Sequence, residues 1–294
     1  MRPCYTVPFV GRYFYLASIF FRWQSKTQRK LDRTMQWMLQ RHSQTLKCRT
    51  MKKEKKNALD LIRSNISSHG YHIYAISGGP LPRFFYTIGL IESIGFELIM
   101  AGSYFYSANE AKQILDKIMN EINSHPTRIN SKIKTNSLGS FKLRKADNSW
   151  TNKLMLGALD FYNSKEISAL QIIPDLDHWT IDTPDLSESW SIQNAPIWRW
   201  LGEPWSYQSI SDHSVAVTNL SALRGEKVTE ATRWEEDQWE LFAGSGPDTP
   251  PAEIRVVPIG VLLDFDPSLK KVVSLDVGHA LWRDKLETEW HVWG

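Results

Sequence analysis

Between Phe84 and Gly102 the chain reads Phe-Phe-Tyr-Thr-Ile-Gly-Leu-Ile-Glu-Ser-Ile-Gly-Phe-Glu-Leu-Ile-Met-Ala-Gly. Two short apolar runs, 84–91 and 96–101, are parted by Glu92, Ser93 and Gly95. Runs of this length bounded by turn residues read as strands. Both are apolar on each face, so both need cover from above and below. A chain organised around them has a sheet at its centre and other elements on either side.

The flanking pattern supplies that cover. Ala58, Leu59, Ile62 and Ile66 recur at helical spacing up to His69-Gly70, and Tyr71–Ile76 follows as a strand. Ser77–Pro82 is a turn-rich connector. Ser107 and Glu110 form a capping box for a helix carrying Ala111, Ile114, Leu115, Ile118 and Ile122 on one face. That helix stops at Ser124-His125-Pro126. Phe141–Lys145 reads as a strand, Thr151–Tyr162 as a helix and Leu170–Ile173 as a strand. The first three strands are joined by loops too short for crossover helices, which excludes a doubly wound sheet.

Asn194–Tyr207, with two prolines, a glycine and three tryptophans, reads as a linker packed across an interface. Beyond it, Ser214–Thr218, Val228–Trp234 and Gln238–Ala243 read as strands, and Ile259–Phe265 as a short helix. The expected class is α+β, with two domains, each a small mixed or antiparallel sheet packed against helices. Their expected bounds are 55–195 and 205–294, after a poorly ordered basic extension over 1–54.

Within the first domain, Gly70-Tyr-His-Ile-Tyr-Ala, Phe85-Tyr-Thr-Ile-Gly-Leu, Phe96-Glu-Leu-Ile-Met-Ala-Gly and Leu170-Gln-Ile-Ile-Pro-Asp follow one another in a distinctive order. In that order and spacing the chain resembles an uncharacterised bacterial family, domain-of-unknown-function family 4262, over about 55–190. The family tends to run through Gly and Phe-Pro after the Pro-Asp pair, where this chain has Asp177-His178-Trp179-Thr180-Ile181-Asp182. The resemblance bears on fold and origin, since the family has no established activity. Farther on, Trp239-Glu-Leu-Phe-Ala-Gly, Val257-Pro-Ile-Gly, Asp266-Pro-Ser-Leu and Ala280-Leu-Trp-Arg-Asp resemble a small module of bacterial immunity-protein-like genes.

Charge divides the chain more sharply than its net +3 suggests. Residues 1–50 hold ten lysines and arginines against Asp32 alone, whereas 203–294 hold eight against 16 acids, a net −8. The head reads as a basic helix over 22–47, and its apolar stretch Tyr5–Phe21 is too short and too interrupted to span a bilayer. Both cysteines, Cys4 and Cys48, lie in that head, which excludes a disulfide framework or thiolate metal site beyond it. A reducing cytoplasm is the expected setting.

No His-Glu-x-x-His pair, phosphate loop or Gly-x-Ser-x-Gly elbow occurs. No cofactor or metal is therefore expected. Asp175, Asp177 and His178 form the densest cluster of ligand-type residues, which would equally serve as turn caps. Glu97 stands in an apolar strand, where burial would raise its pKa as a general acid requires, or where a core partner would hold it. Most of the 13 tryptophans lie beyond residue 150 without basic surroundings, which argues against nucleic acid on the folded body. Trp234 and Trp239 sit beside Glu235, Glu236, Asp237 and Glu240, an aromatic pair inside an acidic rim. The leading expectation is a non-enzymatic binder of a basic protein, in the manner of an immunity-type inhibitor of a cationic toxin. The alternative is a small-molecule binder or enzyme, its pocket lying between Tyr86, Glu97 and the Asp175–Trp179 loop.

Overall fold

The computed structural model describes residues 54–135 and 137–293. The basic head, with both cysteines and every expectation made of it, lies outside the described residues. Among the described residues no helix is long and apolar enough to cross a membrane.

The class is α+β, with two six-stranded sheets, each packed with helices. Helix α1 (residues 54–69) buries Ile62 and ends where the Gly70 N–H meets the Ile66 carbonyl at 2.8 Å. Strands β1 (His72–Ile76), β2 (Phe84–Ile88) and β3 (Glu97–Ala101) then run antiparallel in sequence order. Every residue of β2 and β3 is buried, as two-sided apolar strands demand.

The first apolar run is shorter as a strand than its composition suggests. It ends at Ile88, and Ile91–Ile94 turns into a short helix, α2. The cause is Glu97, whose carboxylate gathers the N–H groups of Gly89, Leu90 and Ile91 and so starts a helical turn.

Helix α3 (Ala108–Ser124) carries the expected capping box and lays Ala111, Ile114, Leu115, Ile118 and Ile122 on one face of the sheet. Then come β4 (Ile133–Thr135), β5 (Gly139–Lys145) and β6 (Ala169–Pro174), with helices α4 (Asn148–Leu154) and α5 (Leu156–Tyr162) between β5 and β6. The single helix expected over Thr151–Tyr162 is thus two, broken at Met155, which turns inward and is fully buried. The sheet order is β1-β2-β3-β6-β5-β4, and β3 pairs with β6 in parallel.

Between the sheets the tryptophan-rich linker lies in the core. Trp198, 1% exposed, packs on Phe84 and Trp150 and donates from its indole to the Asp182 carbonyl. Trp200 donates to the carboxylate of Asp264. One continuous apolar cluster therefore runs from Phe84 and Tyr86 through Trp198 to Ala216 and Trp239.

The second sheet contains β7 (Val215–Asn219), β8 (Glu230–Glu235), β9 (Gln238–Phe242), β10 (Ile254–Pro258), β11 (Ala280–Trp282) and β12 (His291–Val292), in the order β10-β7-β9-β8-β11-β12. Helices α6 (Leu220–Leu223) and α7 (Gly260–Phe265) complete it. The register makes its two faces explicit. Val257, Ala216 and Trp239 lie side by side across three strands, and all are buried. The neighbouring row, Val256, Val217, Glu240, Thr232 and Ala280, is exposed or half-buried throughout. An antiparallel or mixed sheet with one solvated face alternates in this way.

Candidate functional site

Glu97 opens β3, in the middle of the core. One carboxylate oxygen accepts the N–H groups of Gly89, Leu90 and Ile91 and the Tyr162 hydroxyl at 2.5 Å. The other accepts the Thr87 hydroxyl at 2.6 Å. Burial pushes the carboxyl above its usual range, and this set of donors works against that shift. With its oxygens engaged by five donors, Glu97 ties β2, α2, β3 and α5 together. Tyr86 is equally enclosed: its hydroxyl accepts the Gly157 N–H, and its ring stacks on Tyr74 at 5.4 Å.

Asp175 and His178 lie elsewhere. Glu97 pairs with Ala169 at the start of the parallel strands, whereas Asp175 follows the end of β6. The run of strand between them separates the two by ~20 Å. Among the described residues, Glu97 and the Asp175–Trp179 loop do not meet in the expected pocket beside Tyr86, because parallel pairing places them at opposite ends of the strands.

What does gather beyond β3 and β6 is a fixed acid–imidazole pair. Asp175 Oδ2 accepts the Ser140 N–H and hydroxyl, both at 2.8 Å, and Oδ1 meets His178 Nδ1 at 2.5 Å. Burial opposes ionisation of Asp175, but the His178 and Ser140 hydrogen bonds outweigh it and hold the carboxyl down at about 2. An ionised Asp175 can only accept, so Nδ1 of His178 carries a proton and donates it to Oδ1. The imidazole lies parallel to Tyr106, with centroids 5.7 Å apart and planes 4° apart, and Phe105 meets it edge-on at 4.7 Å.

Gly139 closes the other side. Its φ is +85°, and a Cβ there would stand 2.6 Å from His178 Cε1. Asp177 is exposed, and its carbonyl accepts from Arg224, the residue after α6. Among the described residues no group of three or more His, Cys, Asp or Glu could hold a metal.

The acidic stretch forms the β8–β9 hairpin. Arg233 pairs with Trp239 and Glu235 with Gln238, which leaves Trp234 as the extra residue of a bulge. Trp234 is 57% exposed, and Glu235, Glu236 and Asp237 are exposed after it. A bulge re-aims a side chain in this way. Trp239 departs from the expectation of a surface anchor. It is 1% exposed, on the buried row of the sheet, under the guanidinium of Arg233. The aromatic pair read from sequence is therefore one surface residue and one core residue.

Sequence reasoning missed Ser140, Tyr106 and Gly139, which hold Asp175 and His178 in place. Only Gly139, before a strand and after polar residues, gave any signal, and that signal was a turn. It also missed Trp282, 39% exposed on the same sheet, its ring tilted against His291 with centroids 4.8 Å apart.

Residues 65–179 match the family described as Domain of unknown function (DUF4262). That span contains both sets of residues around Glu97 and Asp175, and it ends before the second sheet. No curated protein matches the chain, and no solved structure does.

Proposed function

We propose that this protein works without turnover, by binding another protein at the open face of its second sheet. The partner is cationic, and the manner is that of an immunity-type inhibitor blocking a toxin. The observation that carries this reading is Trp234, set out on a bulge beside three exposed acids. A large indole set out to solvent on a bulge is the kind of anchor that dominates interface energetics. The net −8 of residues 203–294 would speed encounter with a basic surface and fix its orientation. Trp282 and Glu240 extend the same mixture of aromatic and acidic surface across the sheet.

The test is capture of partners by the full chain in its native host, repeated with Trp234→Ala and with Glu235→Lys/Glu236→Lys. One basic protein should be retained by the parent, released by salt, and lost by both variants. Equal retention by parent and variants would defeat the reading.

A second reading is favoured by the geometry around His178. An imidazole clamped between Tyr106 and Gly139, with its Nδ1 on an ionised carboxylate, is poised to take a proton at Nε2 from water or a hydroxyl. Turnover of chromogenic esters or phosphoesters, abolished in His178→Ala, would favour an enzyme; no turnover across such a panel would count against it.

A further inference from the structure

The loop after β1 and the β7–β10 edge of the second sheet face each other across a cleft of about 300 Å³. This is the low end of the range for small-molecule sites, and it lies at a junction between two sheets, where such sites concentrate. Its walls are mostly apolar, with Ile76, Phe85 and Tyr104 on one side and Val215, Val256 and Val257 on the other. It is distinct from the bulge at Trp234 and from the Asp175–His178 pair.

One cation stands in this apolar setting. Arg83, at the start of β2, lines the cleft and donates from Nη2 to the carbonyls of Ser103 and Tyr106. Its guanidinium lies 4.5 Å from the Tyr104 ring centroid. Its Nε is buried and meets no acceptor among the described residues. Buried N–H groups are almost always paired, so this orphan leaves the guanidinium short of an acceptor beside the cleft.

The surrounding charge agrees. Ala108, the first residue of α3, also lines the cleft, so the positive end of a 17-residue helix stands at its wall. Arg255 is close enough to repel Arg83 and is tied to the carbonyls of Tyr104 and Phe105. Two acids oppose them. Glu110 is engaged in the capping box with Ser107. Asp182 is fully buried, its Oδ2 held by the Tyr104 N–H. His213, also lining the cleft, is paired with Asp212.

We propose that this cleft binds a small apolar molecule bearing one carboxylate, with the carboxylate on Arg83 and the apolar body between Phe85 and Val256. Among the described residues only Nη2 of the guanidinium has acceptors, so its Nη1 side is open to a planar carboxylate.

Ligand-observed fluorine NMR on the full chain tests this, with 4-fluorobenzoate and 4-fluorophenylacetate as probes and 4-fluorobenzyl alcohol as the neutral control. Either acid should bind saturably and at least tenfold more tightly than the alcohol, and Arg83→Gln should lose that advantage. Arg83 also braces the Ser103–Tyr106 loop, so Val256→Trp, at a position 57% exposed on β10, provides a variant that fills the cleft and leaves the core alone. It should abolish binding of both acids. Absence of saturable binding, equal binding of the alcohol, or binding unchanged in Val256→Trp would overturn the proposal.

Discussion

The guanidinium of Arg233 lies 4.8 Å from the ring centroid of Trp239, its cross-strand partner. It also donates to the carbonyls of Leu275 and Glu236, each at 2.9 Å. Arg233 thus holds the β8–β9 turn closed over a buried indole, and the next residue, Trp234, is left to the solvent. Arg233→Ala removes the cover and strands those carbonyls, so a loss of about 3 kcal/mol is expected in urea unfolding.

Trp234→Ala should behave in the opposite sense. A side chain 57% exposed contributes little to folding, so stability should stay within about 0.5 kcal/mol of the parent. Partner retention should nevertheless fall at least tenfold in a capture or calorimetric assay.

Glu97→Gln keeps the shape of the side chain but turns an amide N–H₂ toward groups that are themselves donors. A cost of about 3 kcal/mol follows from unpairing part of the set around Glu97. Denaturant unfolding measures it.

Gly102 carries φ +69°, and a Cβ there would lie 2.5 Å from Asp182 Oδ2, with the Asp182 backbone also in the way. Neither neighbour can retreat, since Asp182 is fully buried. Gly102→Ala should therefore cost about 3 kcal/mol or more, seen as a lowered thermal midpoint.

Two carboxyls should give opposite pH signatures. Burial pushes Asp264 up to about 6 against its hydrogen bonds from Tyr207 and Trp200. The folded state then holds a proton that the unfolded chain releases near pH ~4. Its stabilising share is complete below pH ~4 and is lost as the pH rises through about 6. Asp175, held at about 2, stabilises above pH ~4 and loses that share as the pH falls through about 2. Urea midpoints across this range should show the upper slope flattened in Asp264→Asn and the lower one in Asp175→Asn.

The strands at 84–88 and 97–101 were legible because both faces are covered, so hydrophobicity alone marks them. The α3 helix was legible from its cap and its 3.6-residue period. Strands β4, β11 and β12, three, three and two residues long, carry too few positions for any period to show. The parallel β3–β6 pairing was not readable, because it depends on where a distant strand docks. It is this pairing that separates Glu97 from Asp175 and leaves the expected pocket unformed. The opposite fates of Trp234 and Trp239 follow from one unpaired residue in a strand, which composition does not reveal. Asp175 and His178, by contrast, stood out with Asp177 as one local cluster, although their pairing did not.

The parallel docking of β3 against β6 also bears on how the chain leaves the ribosome. β3 is complete at Ala101, but the strand that seals its second edge begins only at Ala169. Throughout that stretch of synthesis a strand apolar but for Glu97 waits with one row of amides and carbonyls bare, the condition in which strands recruit one another between molecules. Chains halted short of residue 169 should be ready clients for holding chaperones, and truncations placed there should yield inclusion bodies instead of a smaller domain.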